Sequence, residues 1–276
     1  MKILVGILYT VENEYERCIA SIKSQNLVNY KIYEIKSKPK NVAHDFLYKY
    51  FVNHANQYDL LIKIDADMVI EDKKLFYKIV NEFKANKHLD HLNIPTFDHF
   101  TDFNYGGVNV YRNTVRWNNN KDNYFTDRVH KNETIRESKK WRVPEETPLI
   151  HHCPNPSNYQ AFHFGVHRAV KAFQFGRAHK KYQNLHWIMF SNVKRNYFIY
   201  KDRKYLLALA GAVCAISEKL KDSDINYNNK RIYKIYQEIN RRNDDELYDY
   251  AINNIYMRML SIFGKLSYYI IALYKK

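Results

Sequence analysis

Apolar and polar positions divide the chain into two kinds of territory. Ile3 to Tyr9 is an unbroken apolar run, as expected of a strand covered on both faces, and Glu14 to Gln25 then sets Tyr15, Ile19 and Ile22 at helical spacing. Tyr30 to Ile35 alternates as a second strand, Ala43 to Phe51 has a helical period, and Leu60 to Ile64 is a further buried strand ending at Asp65. Leu75, Ile79 and Phe83 mark another helix, and Val108 to Tyr111 a later strand. Strands alternating with helices across short connections predict an α/β fold with a mainly parallel sheet flanked by helices. From Asn113 to Pro156 the periodicity dissolves among Asn, Lys, Glu and Pro, which predicts loops. From about Phe162 the pattern is helical, through Val166, Val170 and Phe173, then Tyr205 to Leu220, Ile232 to Ile239 and Leu247 to Leu273. The organisation read from this is a sheet domain over residues 1–180 and a helical C-terminal extension over 181–276.

Composition agrees with a folded protein: 276 residues with 46% hydrophobic and 16% aromatic side chains exclude a disordered chain, and 7 Gly with 6 Pro exclude a collagen-like one. Cys18, Cys153 and Cys214 are too few and too scattered for a disulfide framework or a Cys-based zinc site, so a reduced, cytoplasmic setting is expected. The apolar start runs directly into Glu12 and Glu14 without a small-residue cleavage site, and reads as a first strand rather than a signal peptide. No apolar run approaches the ~20 residues of a spanning helix.

The net charge of +15 is unevenly placed. Residues 1–176 carry 25 basic and 20 acidic side chains, and residues 177–276 carry 19 and 9, so two-thirds of the excess lies in the helical region. The charge therefore speaks to location or to an anionic acceptor rather than to catalysis. Met257 to Tyr274 has a wide apolar face bounded by Arg258, Lys265, Lys275 and Lys276, which fits a peripheral contact with anionic lipid or burial in a core or dimer interface.

The chemistry concentrates at Asp65-Ala66-Asp67, where a buried strand stops. Ligands of open α/β sheets bind beyond the carboxyl ends of strands, and two hard carboxylates there suit Mg²⁺ or Mn²⁺ together with a substrate phosphate. A plain turn with a capping Asp65 and a solvated Asp67 would use the same tripeptide. A second cluster runs from His151-His152-Cys153 to His163, His167, Arg168 and Lys171. His163 and His167 are one helical turn apart, but no H-E-x-x-H pattern is present, which excludes that type of zinc protease. Arg168 and Lys171 could meet a diphosphate. Gly106 and Gly107, before the strand at Val108, would let backbone approach a ligand.

The apolar first strand, Glu12-Asn13-Glu14, Ser21 to Gln25 and the D-x-D together resemble nucleotide-sugar glycosyltransferases of the GT-A fold, nearest to family 2, over about residues 1–112. The resemblance implies a nucleotide-sugar donor, a glycan or lipid-linked acceptor, and a divalent metal, Mn²⁺ or Mg²⁺, held by Asp65 and Asp67. It implies a donor contact by Glu12 and by Gly106 and Gly107, and a late histidine on the metal, His152 first, then His151, then His163. It also implies a carboxylate base, for which Asp127 leads and Glu133, Glu145 and Glu146 follow. Two departures stand out. Where the family carries an acidic uracil-binding residue the chain reads Glu34-Ile35-Lys36-Ser37-Lys38-Pro39, and the Glu-Asp pair that often carries the base is missing. The expected role is in bacterial surface polysaccharide, lipopolysaccharide or capsule.

Two other classes fit parts of the chain. A haloacid-dehalogenase-like phosphohydrolase also uses D-x-D at a strand end, with a late acidic motif that Asp244, Asp245 and Asp249 could supply, but it places the first motif near the N-terminus. A basic RNA- or membrane-surface module would use the interleaved Tyr, Arg and Lys between Tyr227 and Tyr236. Those aromatics recur at helical spacing and suit a core, so no nucleic-acid partner is expected.

Overall fold

The computed structural model describes residues 1–26 and 29–274, except for the side chains of 265 and 268–274. The sequence expectations for Lys265, Lys275 and Lys276 therefore lie outside the described residues. The chain divides into two compact units, Met1–His99 with Phe103–Asn155, and Phe100–Asp102 with Pro156–Lys276.

The first unit is built on an eight-stranded sheet. Its elements are β1 (Ile3–Tyr9), α1 (Tyr15–Lys23), β2 (Tyr30–Lys36), α2 (Lys40–Asn53), β3 (Leu60–Asp65), β4 (Met68–Ile70), α3 (Leu75–Ala85), β5 (Leu89–Asp98), β6 (Phe103–Arg112), β7 (Glu137–Lys140) and β8 (Ile150–His152). The strand order is β2-β1-β3-β6-β5-β8-β4, with β7 beside β5. Pairing is parallel for β1 with β2 and β3, and for β5 with β7 and β8; the other pairs are antiparallel.

Alternation along the buried strands assigns each side chain to a face. Ile3, Val5 and Ile7 with Leu60, Ile62 and Ile64 pack against Ile19 and Ile22 of α1 and Phe76, Ile79 and Phe83 of α3. Leu4, Leu8 and Leu61 pack on the opposite side against Leu47, Tyr48 and Phe51 of α2. Covering both faces is what demands the continuous apolar runs seen in β1 and β3.

The link from β3 to β4 sets the site. Four pairing steps separate these strands in the sheet, about 19 Å if it were flat at ~4.8 Å per step. Asp65 to Met68 spans at most about 10 Å of chain. The sheet must therefore curl, which carries the Asp65-Ala66-Asp67 link across to β8.

Three differences from the sequence reading have local causes. The strand β5 is hidden because Asp90 and Pro95 interrupt its apolar pattern; the register shifts between Ile94 and Thr96, at the proline. Gly106 and Gly107 lie inside β6 rather than in a turn before it, and a Cβ on Gly107 would come within 2.4 Å of Thr96 Cγ2 and 2.7 Å of the Ile94 carbonyl oxygen. Gly107 is thus fitted to that irregularity. Between Asn113 and Pro156 the chain forms β7, β8 and two 3-10 turns, Thr126–Arg128 and Asn132–Thr134.

The second unit contains α4 (Asn158–Phe173), α5 (Gln183–Tyr200), α6 (Arg203–Ser217), α7 (Lys230–Asn240), α8 (Asp244–Ala251) and α9 (Ile255–Tyr274). Every residue of α6 from Tyr205 to Ile216 is buried, as in a central helix. It meets α4 through reciprocal glycines: a Cβ on Gly165 would fall 1.7 Å from the Ala208 carbonyl oxygen, and one on Gly211 2.0 Å from that of Phe162. This backbone contact joins α4 to the later helices, so the units divide at 155/156, where the sequence pattern set 180. The expected helix from Leu247 to Leu273 is two helices, and the Asn254 side chain accepts from Tyr256 N–H at the start of the second.

Candidate functional site

Asp67, at the entry to β4, meets β8 across the curled edge. Register places Met68 opposite His152, and Cys153 N–H donates to the Asp67 carbonyl at 2.8 Å. His152 Nε2 lies 3.3 Å from Asp67 Oδ2. Its Nδ1–H donates to Asp98 Oδ1 at 2.6 Å, and Asp98 is fully buried at the end of β5. The Tyr105 hydroxyl joins this pair, 2.8 Å from Nδ1. A carboxylate behind one imidazole nitrogen fixes the ring and directs the other nitrogen forward, as in carboxylate–histidine–metal arrangements.

Cys153 completes the cluster, with Sγ 3.5 Å from Asp67 Oδ2 and 3.7 Å from His152 Nε2. Among the described residues, Asp67 Oδ1 is buried and has no hydrogen-bond partner. A buried carboxylate oxygen left without a donor is costly, and a cation beside it removes that cost. Burial alone would raise the Asp67 carboxyl, but the charge and hydrogen bond of His152, with the Cys153 thiol, hold it below the usual carboxylate range. Burial disfavours the His152 cation, yet Cys153, Tyr105 and Asp67 together raise its pKa well above that of a free histidine. Glu12 is pushed up to about 8 by burial and by the charge of Asp67, with Asp65 adding to it. One carboxylate oxygen and one imidazole nitrogen set side by side in this way could hold a divalent cation once the imidazole gives up its Nε2 proton.

Asp65 has a different partner. Lys63 and Asp65 share a face of β3, and the buried Lys63 ammonium lies 2.7 Å from Asp65 Oδ2 and 3.1 Å from Asp127 Oδ1. Burial opposes the ammonium charge, but Asp127 and Asp65 outweigh it and keep the lysine protonated. Asp127 also lies 3.1 Å from His44 Nε2, while His44 Nδ1–H donates to the Lys40 carbonyl. The Tyr111 hydroxyl donates to the Asp127 carbonyl, so α2, β3 and β6 all hold this 3-10 turn. Burial would raise the Asp127 carboxyl, but Lys63 and His44 bring it well below its usual range. So stabilised a carboxylate is a weak base.

The first-strand loop is equally ordered. Glu12 Oε2 accepts from the N–H groups of Thr10 and Val11, at 2.6 and 3.0 Å. Glu14 is fully buried and accepts from Asn155 N–H, and Asn13 donates to the Asn155 carbonyl, so the last residue of the first unit is tied to the loop after β1.

The remaining expected residues have the following settings. Strand alternation turns His151 away from His152, with its ring against Phe97. Glu133, Glu145 and Glu146 are exposed. His163, Arg168 and Lys171 lie on α4 of the second unit, where His163 stacks on Tyr227 at 3.8 Å and Arg168 sits over the Phe164 ring. Asp244 and Asp245 begin α8 under an Asn243 cap, and Asp244 pairs with Arg203; they do not follow a buried strand as the phosphohydrolase reading requires. Sequence reasoning passed over Asp98 and Lys63, and gave Cys153 no role within its histidine cluster. A lysine inside the apolar run before D-x-D was a signal for Lys63; Asp98 closes β5 as Asp65 closes β3, but β5 itself was obscured.

No family model matches the chain, and no curated protein does. Among solved structures, the chain is similar to TarS of S. aureus at 10% identity and TM-score 0.39, covering 95% of this chain and 55% of that one. It is similar to a glycosyltransferase involved in glycosylation of the major capsid of PBCV-1 at 12% identity and TM-score 0.35, covering 55% and 94%. A third similarity is to the catalytic domain of Drosophila beta1,4-galactosyltransferase 7 in complex with xylobiose, at 14% identity and TM-score 0.33, covering 55% and 71%. The chain thus spans about half the length of the TarS structure. All three TM-scores are below 0.5, and what the chain does is read from its own side chains.

Proposed function

We propose that the chain is a metal-dependent glycosyltransferase that moves a sugar from a nucleotide-diphosphate donor to a glycan or lipid-linked acceptor. The observation that carries this reading is the partnerless buried oxygen of Asp67 beside a His152 oriented by Asp98, at the end of a D-x-D link between strands. Mn²⁺ or Mg²⁺ held by Asp67 and His152 would act as a Lewis acid towards the leaving diphosphate, worth several kcal/mol. Asp65, fixed by Lys63, contributes a hydrogen-bond acceptor for a donor hydroxyl, and the ordered Glu12 loop lies close enough to feel the charges of Asp67 and Asp65. Asp127 is better suited to holding an acceptor hydroxyl than to removing its proton.

The acceptor reading is bacterial surface polysaccharide, such as lipopolysaccharide or capsule, made at the cytoplasmic face of a membrane. Support comes from the basic last hundred residues and from α9, whose exposed Ile255, Met259, Ile262 and Leu266 form one stripe beside Arg258. Among the described residues no helix is long and apolar enough to cross a membrane, so contact would be peripheral.

The test is thermal shift and sugar transfer by the full chain with a panel of nucleotide sugars, with and without Mn²⁺. We expect one donor to raise Tm only with metal, and Asp67→Ala to abolish both the shift and transfer. Normal turnover by Asp67→Ala refutes the site.

A further inference from the structure

We infer that Cys153 is a third protein ligand of the cation site and tunes it towards thiophilic divalent ions over Mg²⁺. The inference rests on Asp67 and His152 as cation ligands, and is independent of the sugar or acceptor. One oxygen, one nitrogen and one sulfur, from Asp67, His152 and Cys153, all lie within 4.8 Å of one another. Mg²⁺ is served by oxygen donors; imidazole and thiolate together suit Co²⁺, Zn²⁺ and Cd²⁺.

The placement of Cys153 is not that of a core filler. Its side chain is buried, but Sγ faces a carboxylate and an imidazole rather than hydrocarbon. The residue follows the last position of β8 with φ +51°, a left-handed backbone in which a Cβ costs about 1–2 kcal/mol. Glycine would occupy that conformation without the cost. What the cysteine adds there is its sulfur, and the turn aims that sulfur at Asp67. The partnerless Asp67 Oδ1 independently marks the cluster as a ligand site. On binding, the Cys153 S–H proton and the His152 Nε2 proton both leave to solvent as the S–metal and N–metal bonds form, and thiolate with carboxylate neutralises the divalent charge.

The test uses the full chain titrated with Co²⁺ and followed by absorption. A bound cobalt thiolate gives a near-ultraviolet charge-transfer band. We expect this band in the wild type and in Cys214→Ser, and its loss in Cys153→Ser and Cys153→Gly, the glycine variant relieving the backbone so that misfolding is not the cause. In calorimetric titrations the Cd²⁺ to Mg²⁺ affinity ratio should fall by at least about 10-fold in both variants, since losing even an outer-shell partner costs about 10–100-fold in metal affinity. Co²⁺ binding without the band, or an unchanged ratio, overturns the thiol ligand and leaves the Asp67–His152 reading standing. Absence of binding by Co²⁺, Mn²⁺ and Cd²⁺ overturns both.

Discussion

Replacing Lys63 by methionine keeps the length and apolar stem of the side chain and removes one buried charge that two carboxylates share. At an effective dielectric of about 20, the contacts at 2.7 and 3.1 Å are each worth on the order of 5 kcal/mol before desolvation is subtracted. Breaking a buried pair by deleting one partner costs about 3–5 kcal/mol, because the other charge is left uncompensated. Here Lys63 is 3% exposed, but Asp65 and Asp127 keep 36% and 35%, so water takes over part of their solvation. That brings the cost to the bottom of this range or below it, about 2–3 kcal/mol, which is about 4–12 °C in Tm for a unit of this size. Scanning calorimetry and urea denaturation measure it. The double variant Lys63→Met/Asp127→Asn, which removes one of the two stranded charges, should recover about half of the loss. A single variant within about 0.5 kcal/mol of wild type, or a double variant with no recovery, would show that the cluster is solvated rather than clasped.

Two further outcomes concern stability. Gly165→Ala should cost about 3 kcal/mol in urea denaturation, because its Cβ meets the backbone oxygen of Ala208, which cannot rotate away. Gly106→Ala is the contrast, since a Cβ there meets nothing within 4 Å, and its change should stay within about 0.5 kcal/mol. Buried Asp90 is pushed up by burial, but hydrogen bonds from Arg136 and Thr114 hold its carboxyl at about 2. A depressed folded pKa gives stability that is complete above the unfolded value near 4 and is lost as pH falls through about 2, amounting to about 2 kcal/mol. Unfolding free energies between pH 5 and pH 2 should show this loss in the wild type and lack it in Asp90→Asn; parallel curves would refute it.

The strands of the α/β layer were legible wherever one chain segment carried its own signal. β1 and β3 announce burial on both faces, and Asp65 announces a strand end. β5 was unreadable for the opposite reason: Asp90 is buried because Arg136 and Thr114, distant in sequence, come to it. Likewise, nothing local distinguishes His151 from His152. Their roles separate only because β8 alternates, sending one ring to Phe97 and the other to Asp98. Asp127 was legible as an acid in a loop, while its chemistry depends on Lys63 and His44, which only the folded chain brings near. The helical region was legible in outline. Its boundary was not, because the α4–α6 contact is made by glycines, whose small size carries no hydrophobic signal.

The short link between β3 and β4 has a consequence for how this chain can vary. Both of its flanking strands are pinned in ladders, so the number of residues between them acts as a ruler. Exchanging Ala66 for another small residue preserves that length. Inserting a single residue would move Asp67 by about one Cα–Cα step of 3.8 Å, more than its present separation from His152. The site should therefore tolerate changes of chemistry in its surroundings far better than any change of length at this point, and deletions or insertions there should be lost before point substitutions in a library selected for metal binding.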